Sequence, residues 1–212
     1  MITSYRPDGL HISAGATLRQ IVEDETLLEY AGGLLPRALT ESGLSDEGSW
    51  KLAQALFRAG STAVKALMTA LVVLDAEIKA EANGETWVWP LPGFLSYRSR
   101  LPADKYSLTS LRLPPLNPHG HYRFTALDQA HYLAVRLDIH PQLRVAGHVR
   151  IAVSGPMSQP YRVQPVEHRL ERQVLDGELI AAALAEVGKE EPVLEAMERD
   201  GLTELLTELS AA

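Results

Sequence analysis

The chain has 212 residues, 46% of them hydrophobic, enough to bury a core as one domain or two small ones packed together. A formal charge of −7 argues against a protein that holds phosphate backbones, because counterion release needs clustered Lys and Arg. With no cysteine there is no disulfide, thiolate nucleophile, Fe–S cluster or Cys-based zinc site, which fits a reducing cytoplasm.

Met1 to Gly9 lacks the basic start and apolar run of a secretory signal. The longest apolar stretch, Ala66 to Leu74, is about half of the ~20 residues a membrane span needs, so a soluble, cytoplasmic protein is expected. Leu10 to Ser13 reads as a short strand. Thr17 and Gln20 then have capping-box spacing at the start of a helix with Leu18, Ile21, Val22 and Leu28 on one stripe. Gly32-Gly33 reads as a helix end and turn, not a nucleotide loop, and a second helix carrying Leu35, Ala38 and Leu39 fades at Gly43.

Ser49 can cap a third helix bearing Leu52, Leu56 and Phe57, and Ala63 to Leu74 is a strongly apolar helix with Lys65 off its stripe. From Ala76 the pattern alternates through Asn83-Gly84 to Trp89, the signature of a hairpin. Ser107 to Leu113 is a further strand. The prolines from Pro114 to Pro118 deny a ladder its donors, which places a junction there. Beyond it, Tyr122 to Leu127, His131 to Ile139 and His148 to Ser154 read as strands, although Gln129 to Leu137 fits a helix equally. Val166 to Leu175, Gly177 to Val187 and Val193 to Leu209 read as helices broken at Gly188, Pro192 and Gly201.

His119, His121, Asp128 and His131 are the one grouping with metal-ligand chemistry, but they lie around a proline-rich connector where His is an ordinary polar residue. No nucleophile elbow, P-loop or dinucleotide-binding glycine pattern occurs. Glu190, Glu191, Glu195, Glu198 and Glu204 read as a solvated helix face. Trp87 and Trp89 share one side of a strand, as a stacking platform or, preferably, as core cover. Arg98 and Arg100 could receive an anion or a partner carboxylate, but read preferably as a surface pair.

Several weak motifs fall in one order. Leu10-His-Ile-Ser-Ala-Gly-Ala-Thr-Leu18 resembles the L-x-I-G-A-x-x-T-L junction of the FAD-binding subunits of molybdenum hydroxylases, the xanthine dehydrogenase and carbon monoxide dehydrogenase family. Leu74-Asp-Ala-Glu-Ile78, Phe94 and Ser107 to Pro114 resemble later elements of that subunit. Tyr122, Val149 to Gly155, Pro160-Tyr-Arg162, Glu167 and Leu170 resemble its C-terminal domain.

The resemblance implies an α+β fold. Residues 1–118 would match the second half of the FAD-binding domain, an antiparallel sheet with covering helices. Residues 119–212 would match the flavoprotein C-terminal domain, a small three-stranded sheet plus helices. In such enzymes this subunit relays electrons from an iron–sulfur subunit while a molybdopterin subunit oxidises the substrate.

The family's first, glycine-rich α/β subdomain has no counterpart in this sequence. Its second flavin grip, R-N-x-x-T-x-G-G-N, corresponds to Arg58-Ala-Gly-Ser-Thr62-Ala-Val64-Lys65-Ala66, and about nine residues of loop before Leu74 are missing. Arg58 and Thr62 remain as candidate cofactor contacts, while Val64, Lys65 and Ala66 put side chains where bare backbone would meet a phosphate. The expectation is a relative that has lost FAD and acts as a structural, assembly or regulatory partner of molybdopterin or iron–sulfur subunits, or of its own copies in an oligomer. The alternatives are a FAD electron-transfer subunit completed by another chain and a small-molecule binder using the vacated cleft. No catalytic or metal residue is assigned.

Overall fold

A computed structural model of the chain describes residues 1–44, 46–58, 60–101, 105–156, 158–187 and 194–211. Strands β1 (Thr3–Arg6) and β2 (Gly9–Ser13) pair antiparallel and lead into helix α1 (Leu18–Glu23). There Thr17 Oγ1 accepts the Gln20 N–H at 3.2 Å and Gln20 Oε1 accepts the Thr17 N–H at 2.9 Å, which completes the capping box. Helix α2 (Glu25–Glu29) follows at once, and Ala31, Gly32 and Gly33 all take positive φ before α3 (Leu34–Glu41), so the glycine pair is a turn.

Helix α4 (Leu52–Phe57) starts from Lys51, not from Ser49 as expected. The Ser49 hydroxyl donates instead to Asp46 O inside a 3₁₀ turn, and an isolated bridge between Thr17 and Lys51 holds the start of α4. Helix α5 (Thr62–Val73) is buried on nearly every side, as its all-round apolar sequence requires. Strands β3 (Glu77–Ala82) and β4 (Glu85–Pro90) form the predicted hairpin, with Asn83 at φ 54° and Gly84 at φ 80°, the two positive angles a type I′ turn needs. Helix α6 (Leu91–Tyr97) and strand β5 (Ser107–Leu113) complete a five-stranded sheet in the order β1-β2-β5-β3-β4, antiparallel at every pairing.

After the proline-rich connector come β6 (Gly120–Ala126), β7 (Tyr132–Ile139), β8 (Ala146–Ser154) and β9 (Tyr161–Arg162), an antiparallel sheet of four strands where three were expected. The fourth is two residues long and exists through its pairing with Ala152 and Val153, so no sequence periodicity announces it. Helices α7 (Gln164–Leu170), α8 (Gly177–Glu186) and α9 (Ala196–Ala211) follow. Helix α7 stops at Leu170, short of the expected Leu175. There Arg172 takes φ 61° and Val174 bridges Val145. The expected breaks at Gly188 and Pro192, the start at Val193, and Glu190 and Glu191 lie outside the described residues.

The second sheet is buried on both faces. Tyr132 and Ala134 point into a core shared with α3, α5 and the first sheet, whereas Leu133, Val135 and Leu137 point into a second core closed by α7 to α9. Two-sided burial explains why β7 reads as an unbroken apolar run that sequence alone leaves open between strand and helix. On the first face Arg136 and Asp138 form a buried bidentate pair at 3.1 and 3.0 Å, with the guanidinium 5.7 Å from the Tyr122 ring.

Gly201 does not break α9. A Cβ there would lie 2.8 Å from both Leu127 Cδ2 and Leu133 Cδ1, so the glycine lets the helix sit against the sheet. Glu198 is not on a solvated face either. It is 4% exposed, and its carboxylate accepts the Glu195 N–H at 2.9 Å, while Glu195 and Glu204 are exposed as expected.

Candidate functional site

The site is built around the start of α5. The chain leaves α4 at Arg58 in an extended conformation, and Ser61 caps α5 by accepting the Val64 N–H on its hydroxyl. Lys65 N–H donates to Ser61 O at 3.0 Å. The amides of Val64 and Lys65, which a phosphate loop would present to its ligand, are therefore spent inside the helix. Val64 and Ala66 are sunk in the core, at 1% and 0% exposure.

Lys65 turns the other way. Its Nζ donates to Gly155 O at 3.2 Å and to Pro156 O, and the next turn adds Thr69 Oγ1 against Ser154 Oγ at 2.8 Å. The position expected to meet a cofactor thus fastens α5 to the end of β8.

Between these elements lies a cleft of about 300 Å³ lined by Arg58, Val64, Lys65, Met68, Arg98 and Pro156, among others. Arg58 lays its guanidinium over Trp50, 4.3 Å from the ring centroid. Arg98 is not the surface residue its sequence context suggests. It is 7% exposed, and its Nη1 donates to Leu56 O at 2.9 Å and reaches Met68 Sδ at 3.2 Å. Burial pushes this guanidinium below its ordinary value. Arg100 is exposed, as expected. A second cleft of about 580 Å³ continues past Gln159 and Pro160 toward Leu95, Tyr161 and Arg162.

A helix packed on the second antiparallel sheet and sharing a core with the first, with a helical pack behind the second sheet, is a distinctive arrangement. Chains of carbon monoxide dehydrogenase and quinoline 2-oxidoreductase share this fold. A carbon monoxide dehydrogenase structure from Hydrogenophaga pseudoflava, in a form lacking the Mo-pyranopterin moiety of the molybdenum cofactor, matches with a TM-score of 0.75 at 14% identity, over 98% of this chain and 74% of its own. Quinoline 2-oxidoreductase from Pseudomonas putida 86 matches with a TM-score of 0.71 at 18% identity, over 98% and 74%. Reconstituted CO dehydrogenase from Oligotropha carboxidovorans gives 0.71 at 13% identity, over 96% and 73%. At these identities the likeness is one of fold. No protein-family model and no curated protein sequence matches the chain.

Of the two residues carried over from the flavin pattern, Arg58 lines the cleft. Thr62 is an exposed residue of the first turn of α5 and is not among the residues lining the cleft. Sequence reasoning missed the inward aim of Arg98 and the tether made by Lys65. The signal for Arg98 was its place directly after an amphipathic helix that packs Phe94 and Leu95 into the core.

The histidines do not converge. Among the described residues no three His, Asp or Glu side chains are placed to hold a metal ion. His131 is buried, with Nδ1 2.9 Å from Asp128 Oδ2 and Nε2 3.6 Å from Glu195 Oε2. Burial opposes its protonation, but the Asp128 hydrogen bond and the surrounding carboxylates outweigh this and raise its pKa. His148 is taken up by Asp75 at 2.9 Å. Trp87 and Trp89 stack at 6.1 Å. Trp89 also meets Phe94 and Tyr106 and is half-buried, so it is core cover as expected, whereas Trp87 remains exposed.

Among the described residues, no helix is long and apolar enough to cross a membrane.

Proposed function

We propose that the chain is a divergent homologue of the FAD-binding subunit of molybdenum hydroxylases that no longer holds FAD and serves as a structural, assembly or regulatory partner in the cytoplasm. Residues 1–118 would correspond to the second half of the FAD-binding domain and residues 119–212 to the flavoprotein C-terminal domain. Its partners would be molybdopterin or iron–sulfur subunits, or further copies of itself.

The observation that carries this reading is the helical turn at Val64, Lys65 and Ala66. A pyrophosphate grip works through free N–H groups on bare backbone. Here Ser61 takes the Val64 and Lys65 amides, two of the three side chains are core, and the third is bonded to Gly155 and Pro156. Arg58 and Thr62 are then remnants of the lost loop. The test is the visible spectrum of the purified protein, before and after incubation with FAD. Colourless protein that leaves flavin fluorescence unquenched supports the proposal, and stoichiometric flavin overturns it.

Arg58, which still faces the cleft, favours a second reading in which another chain completes a flavin site. Co-expression with neighbouring open reading frames separates the two readings: flavin in the complex alone supports the second.

A further inference from the structure

The cleft carries a charge opposite in sign to that of the chain as a whole. In a chain of net charge −7, its lining holds Arg58, Lys65 and Arg98 and, among the described residues, no carboxylate. None of the three cations has an acidic partner among the described residues, although most other buried or half-buried arginines do: Arg112 with Glu77, Arg136 with Asp138, Arg150 with Asp75 and Arg162 with Glu167.

Arg98 is the least expected of them. Burying a guanidinium is costly unless its donors are met and its charge is balanced. Among the described residues both contacts of Arg98 use Nη1, and both acceptors, Leu56 O and Met68 Sδ, are uncharged. Its Nε and Nη2 have no partner among the described residues, and Arg98 lines the cleft, so one edge of the planar fork is free to donate. The positive end of the α5 dipole, at Gly60 to Val64, adds field of the same sign.

The other half of the lining is apolar: Val64, Met68, Pro156 and Pro160. About 300 Å³ is at the small end of the range for small-molecule sites, and the adjoining cleft offers room for a tail. From this combination we infer that the cleft is a receptor for a small organic oxyanion, a carboxylate or phosphate ester on an apolar body, held by the free edge of Arg98 with Arg58 closing over it. This deepens the reading of the cleft as no longer committed to flavin, and rests on it.

The test uses benzoate and phenyl phosphate as probes, benzyl alcohol as the uncharged control, and sodium chloride at matched ionic strength. Amide ¹H–¹⁵N shifts are recorded on the full chain. Binding that moves Gly60, Val64 and Ser158 in a saturable way, with either anion and not with benzyl alcohol or salt, supports the site. The stronger of the two probes identifies carboxylate or phosphate as the preferred group. Arg98→Met is expected to weaken binding about tenfold or more, the loss of one charge-assisted contact.

Because Arg98 is buried and that variant can misfold, Arg58→Ala at an exposed position serves as the second variant and is expected to weaken binding several-fold. No saturable shift with either anion up to about 10 mM, or shifts shared with benzyl alcohol, would overturn the proposal. FAD fluorescence quenched by the protein and restored by phenyl phosphate would uphold the anion cleft while overturning the loss of flavin.

Discussion

Replacing Val64 with glycine tests whether the start of α5 is a helix built into the core or a disguised cofactor loop. Val64 is 1% exposed, in the first turn of α5. Losing its side chain forfeits about 1.5–3 kcal/mol of burial, with a cavity term added where the neighbours do not collapse. The glycine adds about 0.5–1 kcal/mol through the backbone entropy it brings to a helix. The expected loss is about 3 kcal/mol, a large part of the 5–15 kcal/mol that holds a typical domain together, and it should lower Tm by roughly 6–12 °C for a chain of this size. Urea unfolding followed by circular dichroism gives the first number and a thermal scan the second. A phosphate loop makes the opposite prediction, since glycine restores the bare backbone it needs. A Val64→Gly protein of unchanged stability that acquired FAD would refute the reasoning.

Gly201→Ala sets two effects against each other: helix propensity favours alanine by up to about 1 kcal/mol, while the clash with Leu127 and Leu133 costs about 1–3 kcal/mol. Leu133 is fully buried, so packing should win, and denaturant titration should show a net loss; a gain in stability would count against the close approach. For Asp75, burial raises the pKa, but the His148 and Arg150 contacts outweigh it and the net shift is downward. Its stabilisation is therefore complete above the ordinary carboxylate value and lost as pH falls through the lower folded value, and Asp75→Asn should flatten the acid limb of the stability profile. An unchanged limb would show the cluster to be inert. His131, whose pKa is raised, contributes fully below 6.5 and loses that contribution as pH rises through its folded value. An NMR titration should place its midpoint above 6.5, and a midpoint below would mean that desolvation prevails.

Sequence made visible those elements whose cause is local. The capping box at Thr17 and Gln20, the Asn83-Gly84 turn and the apolar run of α5 each follow from neighbours within a few residues. What stayed hidden depends on partners far along the chain. β1 buries one residue and is held by its pairing with β2, and β9 exists because β8 is there. Arg98 is inward because Leu56 O and Met68 Sδ accept its Nη1, and beyond its place directly after α6 nothing in the local sequence names those distant acceptors. Glu198 folds back on Glu195, and that removes it from the solvated face its spacing suggests. The cleft was half legible: Arg58 and Lys65 came from one motif and Arg98 stood out as a candidate anion contact, while the tether of Lys65 and the inward aim of Arg98 came from the fold.

Helix α5 runs antiparallel to β8 and is fastened to it along its length. At its start Lys65 holds Gly155 and Pro156, one turn on Thr69 meets Ser154, and just past its end Asp75 accepts from His148 and Arg150. Asp75 can do so because it occupies the left-handed residue after the helix, at φ 50°, which turns its carboxylate toward the sheet. A loop that closes on a phosphate has to keep its amides free and its backbone adaptable. A helix tied at both ends has given up both properties and gained a fixed wall. The cations at that wall are placed by secondary structure: Lys65 by α5, and Arg98 by the turn that follows α6. Preorganised charge on rigid elements suits recognition of one small group in one orientation, whereas a long cofactor wrapped by flexible glycines needs free amides and an adaptable backbone, which the capped start of α5 does not offer.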